Sequence, residues 1–236
     1  MRKKPAILIT AGPTREYIDS VRFISNASSG KMASALAREA SRRGSRRITI
    51  IAGESLNDTR ILPRSLKTIY VRSAQDMLDC VMRSLPEHDI FISAAAVADY
   101  KPVAIKYGNN KTLAIPLREK IKKSVGKSIT LKLSPTPDIL RSVSFKKINS
   151  NNKKLVIVGF ALEAGKNLFA DAVRKLKSKK CDIIVGNETG ALESDKSTGA
   201  IFFADGKIIK FKELPKKILA KKIITEALKI WRQRNR

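Results

Sequence analysis

The chain has 236 residues with 48 Lys or Arg, 21 Asp or Glu and a single His, a formal net charge of +27. That length suits one large α/β domain with its own core, while a lone histidine, His88, removes most metalloenzyme and Ser-His hydrolase chemistry. The two cysteines, Cys80 and Cys181, lie far apart with no pairing or ligand spacing, which excludes a disulfide scaffold or a zinc cluster and points to a reducing compartment. No apolar run has the length of a membrane span, and "MRKKPAILIT" runs straight into a strand pattern, so a soluble, cytoplasmic protein is expected. The positive charge fits nucleic acid, an anionic membrane or a polyanionic substrate as partner, or equally an organism whose proteins are all lysine-rich, and the lysines are spread along the whole chain.

In chain order, continuous apolar runs appear at "AILITAG" from Ala6, "ITIIAG" from Ile48, "TIYV" from Thr68, "DIFISAAAV" from Asp89, "KLVIVGFA" from Lys154 and "CDIIVGN" from Cys181. Unbroken hydrophobicity is what strands buried on both faces of a parallel sheet require. Helical patterns lie between them, at Lys31 to Arg43, Ala74 to Ser84, Pro137 to Lys146 and Leu168 to Lys180. The alternation predicts an α/β, Rossmann-like, doubly wound and mostly parallel sheet with right-handed crossovers. "AIFFADGKIIKF" predicts a C-terminal β-hairpin turning at Asp205-Gly206, followed by an amphipathic helix from Pro215 to Trp231 whose basic ends are solvated. His88, between Glu87 and Asp89, is expected in a solvated connection. A single domain over residues 1–236 is expected, with a flexible lid at about 101–127, where a Lys-, Gly- and Asn-rich stretch shows no periodicity and is too long for a plain connection.

In an open α/β sheet, ligands bind beyond the carboxyl ends of the strands. After the first strand come Gly12 and Arg15, then a loop reaching Ser28, Ser29, Gly30 and Lys31 at a helix start. Serines there cap amide groups, and the same amides with the helix dipole bind anions. The spacing is neither GxGxxG nor GxxxxGK[ST], because Met32 stands where such a loop holds magnesium with a hydroxyl. An ordinary capped helix and a phosphate site both remain open. Arg15, Arg22 and Lys31 crowd this loop beside the amide of Asn26, a composition suited to a phosphate- or carboxylate-bearing substrate. Small residues after the fourth apolar run let a ligand approach the backbone, with Asp99 as an acceptor or a partial metal ligand. In "REKIKKS", Lys120 and Lys122 share a side if extended, with Lys123 opposite, and such charges in a lid can close over a polyphosphate. Lys175 and Lys179 share a helical face.

Together, "ITAGPTREYIDSVRFISNASSGKM", "SAAAVADYKP", "EKIKK", "PTPDIL", "VGFALE" and "KLKSKKCDIIVGN" resemble the phosphopantothenate-cysteine ligase family of coenzyme A biosynthesis, in order and over most of Ile9 to Asn187. The resemblance implies activation of 4'-phosphopantothenate by CTP with magnesium, through an acyl-cytidylate, and capture by L-cysteine. It assigns Asn26, with Arg22 beside it, to handling the intermediate and Lys120 to forming it. Ser93, Ala94, Ala95, Asp99, Pro137, Asp138, Ile139, Leu140, Phe160, Lys175 and Lys179 match CTP-holding positions, the last two through a short insertion near Gly165-Lys166. Gly12, Arg15 and Ser28 to Lys31 are taken as substrate-binding, and the metal ligands stay unassigned. Ala27 and Ala33 stand where the family often has histidine and glycine. The resemblance further implies a homodimer, no FMN site and a separate decarboxylase. The rival readings are a basic nucleic-acid-binding protein, weakened by the lack of an aromatic-rich basic patch, and a nicotinamide-dependent oxidoreductase, for which only Glu54 at the end of the second strand fits.

Overall fold

The computed structural model describes residues 4–45, 47–54, 66–107, 111–122, 128–163, 168–188 and 194–236. Lys123 and the Gly165-Lys166 insertion lie outside the described residues. In chain order, β1 (Ala6–Ala11) leads to a small hairpin of β2 (Arg15–Tyr17) and β3 (Phe23–Ser25), then α1 (Lys31–Arg42), β4 (Arg47–Gly53), β5 (Lys67–Val71), α2 (Ala74–Ser84) and β6 (Ile90–Ser93). The chain continues through β7 (Tyr100–Tyr107), β8 (Lys111–Ala114), β9 (Ile129–Pro135), α3 (Ile139–Asn149) and β10 (Val156–Glu163). It ends with α4 (Leu168–Ser178), β11 (Ile183–Glu188), β12 (Lys196–Phe203), β13 (Ile208–Pro215) and α5 (Lys216–Arg234).

Among the described residues, the main sheet runs β13-β12-β11-β10-β6-β1-β4-β5. Its pairs from β5 across to β11 are parallel, and the last two strands are antiparallel. The chain steps outward from β1 to β4 and β5, then returns to start again at β6 on the other side of β1. A crevice opens at that reversal, beyond the carboxyl ends of β1 and β6.

Period-two alternation sends Ile7, Ile9, Ile50 and Ile92 to one face, under α1 and α5, where Leu36, Leu219, Ile223 and Trp231 cover them. Leu8, Ile51, Phe91 and Ile157 point to the other face, under Met77, Val81, Val143 and Leu176 from α2, α3 and α4. Since both faces are covered, β1 is buried at every residue, and its sequence is apolar except for Thr10. The hairpin turns where expected: Gly206, at φ 89, donates its amide to the Phe203 carbonyl at 3.0 Å. No helix among the described residues is long and apolar enough to cross a membrane.

Three expectations are corrected. His88 is buried: its Nδ1 lies 2.7 Å from the Ser84 carbonyl and its Nε2 3.0 Å from Thr49 Oγ1. Burial lowers its pKa from the usual 6.5, only partly offset by the Ser84 bond. The stretch read as aperiodic holds β7 and β8 which, with β9, form a separate antiparallel sheet in the order β8-β7-β9. The end of α5 is also not simply solvated, because Arg234 donates to the Leu155 carbonyl at 2.9 Å and pairs with the buried Asp182.

Candidate active site

A cleft of about 800 Å³ occupies the crevice beyond β1, β6 and β10, within the range of small-molecule sites. Its floor is the run Ser93 to Val97 leaving β6, with Phe160, Ala161 and Leu162 of β10 beside it. One wall is Asn26 to Ala33 at the start of α1; the other is Pro137 to Leu140 at the start of α3, with Lys175 and Lys179 from the end of α4. Of the positions expected to bind ligand, Asn26, Ser28 to Lys31, Ser93 to Ala95, Asp99, Pro137 to Leu140, Phe160, Lys175 and Lys179 are thus brought together.

The serines do not cap α1 as anticipated. Gly30 is the N-cap residue, in the left-handed region at φ 67, and no side chain caps the helix. Ser28 Oγ accepts from the Gly30 amide at a long 3.4 Å, and Ser29 Oγ has no hydrogen-bond partner. The first amides of α1 therefore face the cleft without a capping side chain, at the positive end of the helix dipole. That favours the anion-binding option over the ordinary cap.

Two threonines that the sequence reading passed over hold the floor in place. The hydroxyls of Thr10 and Thr14, both fully buried, accept from the amides of Ala95 at 3.2 Å and Ala98 at 3.0 Å. For Thr10, a hydroxyl inside the apolar run of β1 was the available signal, because buried polar groups need partners, whereas Thr14 stands in the polar turn that follows. Gly12 lies below the cleft lining rather than in it: at φ 69 it turns the chain and its carbonyl accepts from the Ala96 amide at 2.9 Å. Asn26 Nδ2 donates to the Val97 carbonyl at 2.9 Å, tying the α1 wall to the floor.

The charges are mixed. Asp138 caps α3 by accepting from the Arg141 amide at 2.9 Å and also pairs with Lys179. Burial would raise its carboxyl, but the Lys179 contact, the Arg141 amide and the nearby Lys175 charge outweigh this and hold it below the ordinary 3.8. Lys31 pairs with Asp195 at 2.7 Å. Lys216, Asn187 and Ser197 also line the cleft, none of them anticipated. Burial and the neighbouring Lys31 charge lower the Lys216 ammonium below its usual 10.5. Asn187 Oδ1 and Ser197 Oγ are buried without hydrogen-bond partners, polar atoms that a bound molecule can satisfy.

Arg15, Arg22 and Lys120 do not line the cleft. Arg15 stacks its guanidinium 4.4 Å over the Phe23 ring. Arg22 donates to the Ile121 carbonyl at 2.6 Å, and Lys120 is exposed on the adjoining segment. Glu54, the one residue favouring nicotinamide binding, is engaged by Arg72 at 2.9 Å.

A family model described as the DNA/pantothenate metabolism flavoprotein C-terminal domain matches residues 2–230. The chain belongs to this family. The match agrees with the phosphopantothenate-cysteine ligase resemblance carried by the loop before α1. The coenzyme A biosynthesis bifunctional protein CoaBC of Mycobacterium tuberculosis H37Rv is 35% identical over 225 residues, covering 92% of this chain and 50% of that protein. The Vibrio vulnificus protein of the same name is 42% identical over 184 residues, covering 78% and 41%. The chain thus spans about half the length of the curated relatives it matches, or less. A crystal structure of the C-terminal domain of CoaBC superposes with a TM-score of 0.73 at 33% identity, covering 98% of this chain and 97% of that one. A Cab2 mutant in complex with phosphopantothenate-cysteine has the same fold, with a TM-score of 0.71 at 16% identity over 98% of this chain and 89% of that one.

Proposed function

We propose that the chain ligates 4'-phosphopantothenate to L-cysteine using CTP. The reading rests chiefly on family membership, together with a strand-end cleft in which the matching residues converge. A carboxylate oxygen of phosphopantothenate attacks the α-phosphorus of CTP, the α–β phosphoanhydride bond breaks, and pyrophosphate leaves. The cysteine amino nitrogen then attacks the acyl carbon, CMP departs with the bonding pair, and the amine loses a proton. The first step needs alignment and positive charge rather than a histidine base, which suits a chain whose one histidine is buried away from the cleft.

In this scheme Lys175 and Lys179 hold the nucleotide, and the amides at the start of α1 receive an anionic group of the substrate. The Asn26 amide, at the lip of the floor, holds the acyl group while cysteine attacks. Lys120 reaches the phosphates as the β7–β9 region closes over the cleft, and its charge offsets what builds up during transfer. Nucleotide-bound magnesium commonly takes only one or two carboxylates, its other ligands being phosphates and water. Asp99, exposed at the cleft, fits that pattern, and among the described residues no three His, Cys, Asp or Glu side chains form a cage of their own. A magnesium ion held there would supply further neutralisation of the phosphates.

The test is pyrophosphate release from CTP that requires 4'-phosphopantothenate. Release should be retained in Asn26→Asp, which then forms no product, and cut to a small residual rate in Lys120→Gln. No release with any nucleoside triphosphate would overturn the proposal; equal residual activity in the two variants would overturn the division of roles. The dimer belongs to the same proposal and is checked by sedimentation equilibrium.

A further inference from the structure

Lys120 stands on a segment gripped at two points by the turn that leads into β3. The Leu117 amide donates to the Ile18 carbonyl at 3.0 Å, and the Ile121 amide donates to Asp19 Oδ2 at 3.1 Å. Arg22 completes the second grip: its Nη2 donates to the Ile121 carbonyl at 2.6 Å while its Nη1 sits 3.6 Å from Asp19 Oδ2. The turn is itself rigid. Asp19 Oδ1 accepts from the amides of Val21 at 2.8 Å and Arg22 at 2.7 Å, and the Arg22 carbonyl accepts from the Ile18 amide at 2.8 Å.

Asp19 is 1% exposed and Ile121 6%, so the carboxylate's bond to the Ile121 amide is shielded from water, whereas Arg22 is partly exposed and Lys120 exposed. The amide that Asp19 holds belongs to the peptide bond joining Lys120 to Ile121. That unit is planar, so fixing its N–H fixes the direction in which the chain leaves Lys120. A long exposed lysine loses rotamer freedom when it is ordered, and a backbone already tied to the turn lowers what remains to be ordered as the segment closes on the nucleotide. A buried carboxylate with backbone amides on both oxygens is costly to keep unless each bond is made, and here both oxygens are used.

We propose that Asp19 is the positioning residue for Lys120, with Arg22 as its second arm: the carboxylate holds the 120–121 peptide so that the Lys120 ammonium meets the nucleotide phosphates in one orientation. The inference rests on the reading that Lys120 acts in the nucleotide step, and it moves Arg22 from acting on the intermediate to holding the lysine's backbone.

The experiment is a double-mutant cycle on phosphopantothenate-dependent pyrophosphate release, using wild type, Asp19→Asn, Lys120→Gln and the double variant. Asn keeps the side chain's shape and removes its charge. Asp19→Asn is expected to lower kcat by about ten- to a hundredfold, the scale of a displacement near 1 Å, with KM for CTP changed far less. Added to Lys120→Gln it should cost nothing further, because the lysine it positions is gone. A general structural role gives losses that multiply, and that result, or wild-type kcat in Asp19→Asn, overturns the inference alone. A wild-type protein that releases no pyrophosphate overturns the functional reading and this inference together. If Asp19→Asn does not fold, as judged by circular dichroism, Arg22→Met carries the same cycle, since it removes the arm on the Ile121 carbonyl and the contact with Asp19 but leaves the carboxylate its backbone amides.

Discussion

Replacing Gly53 with alanine tests how closely the end of β4 supports the cleft. A Cβ at this position would stand 1.9 Å from the Pro13 carbonyl oxygen and 2.9 Å from its carbon, where ordinary contact begins at 3.4 Å. The difference between 3.4 and 1.9 means that the strand end and Pro13 must part by about 1.5 Å. Both atoms are backbone, so no rotamer change relieves the clash. Pro13 forms a bridge with Ala96, and the neighbouring Gly12 carbonyl accepts from the Ala96 amide at 2.9 Å, so the displacement passes to the cleft floor. Overpacking costs about 1–3 kcal/mol, and a clash confined to backbone belongs at the upper end. At roughly 2–4 °C per kcal/mol for a domain of this size, Tm should fall by about 6–12 °C. A floor displaced by about 1 Å should also cost about a hundredfold in substrate-dependent pyrophosphate release. Scanning calorimetry and that release assay read the two effects. A Gly53→Ala protein with Tm within about 2 °C of wild type and unaltered activity would refute the chain of contacts.

Asp182→Ala should cost about 3 kcal/mol, measured by urea denaturation, because it strips the Ile157 amide, Lys147 and Arg234 of a shared, nearly buried carboxylate. Glu39 gives a pH signature. Its hydrogen bond from Arg42, opposed by burial and aided by Arg43, holds its pKa at about 2 against an ordinary 4.5. Its contribution to stability is therefore complete above 4.5 and lost as pH falls from 4.5 to about 2, so Glu39→Gln should flatten that limb of the stability curve. Ser73→Ala breaks the reciprocal cap of α2, in which Ser73 Oγ accepts from the Asp76 amide at 3.1 Å and Asp76 Oδ2 from the Ser73 amide at 3.0 Å. Chemical denaturation should show a loss of about 1 kcal/mol, with kcat unchanged.

The sequence by itself determined the parallel core and most of the cleft. Strands covered on both faces are apolar almost throughout, as β1 is apart from the hydrogen-bonded Thr10, so such runs announce a parallel sheet, and the segments beyond their carboxyl ends flank the crevice. The tail hairpin was equally legible, because only a turn residue such as Gly206 accepts φ 89 without strain.

Tertiary structure alone decided the rest, in each case because distant residues meet. His88 has charged neighbours in sequence, yet Thr49, on another strand, supplies the hydrogen bond that lets it be buried. The sheet of β7 to β9 left little hydrophobic pattern because, among the described side chains, β7 buries only Pro102 and Ile105 and β9 none fully, and backbone pairing holds a strand whatever its side chains. Lys120 was recognisable as a lysine in a basic stretch, but what grips its neighbour is Asp19, 102 positions away from Ile121 in sequence. Chain order records local preference and burial; which carboxylate closes on which peptide is set only when the turn and the distant segment pack together.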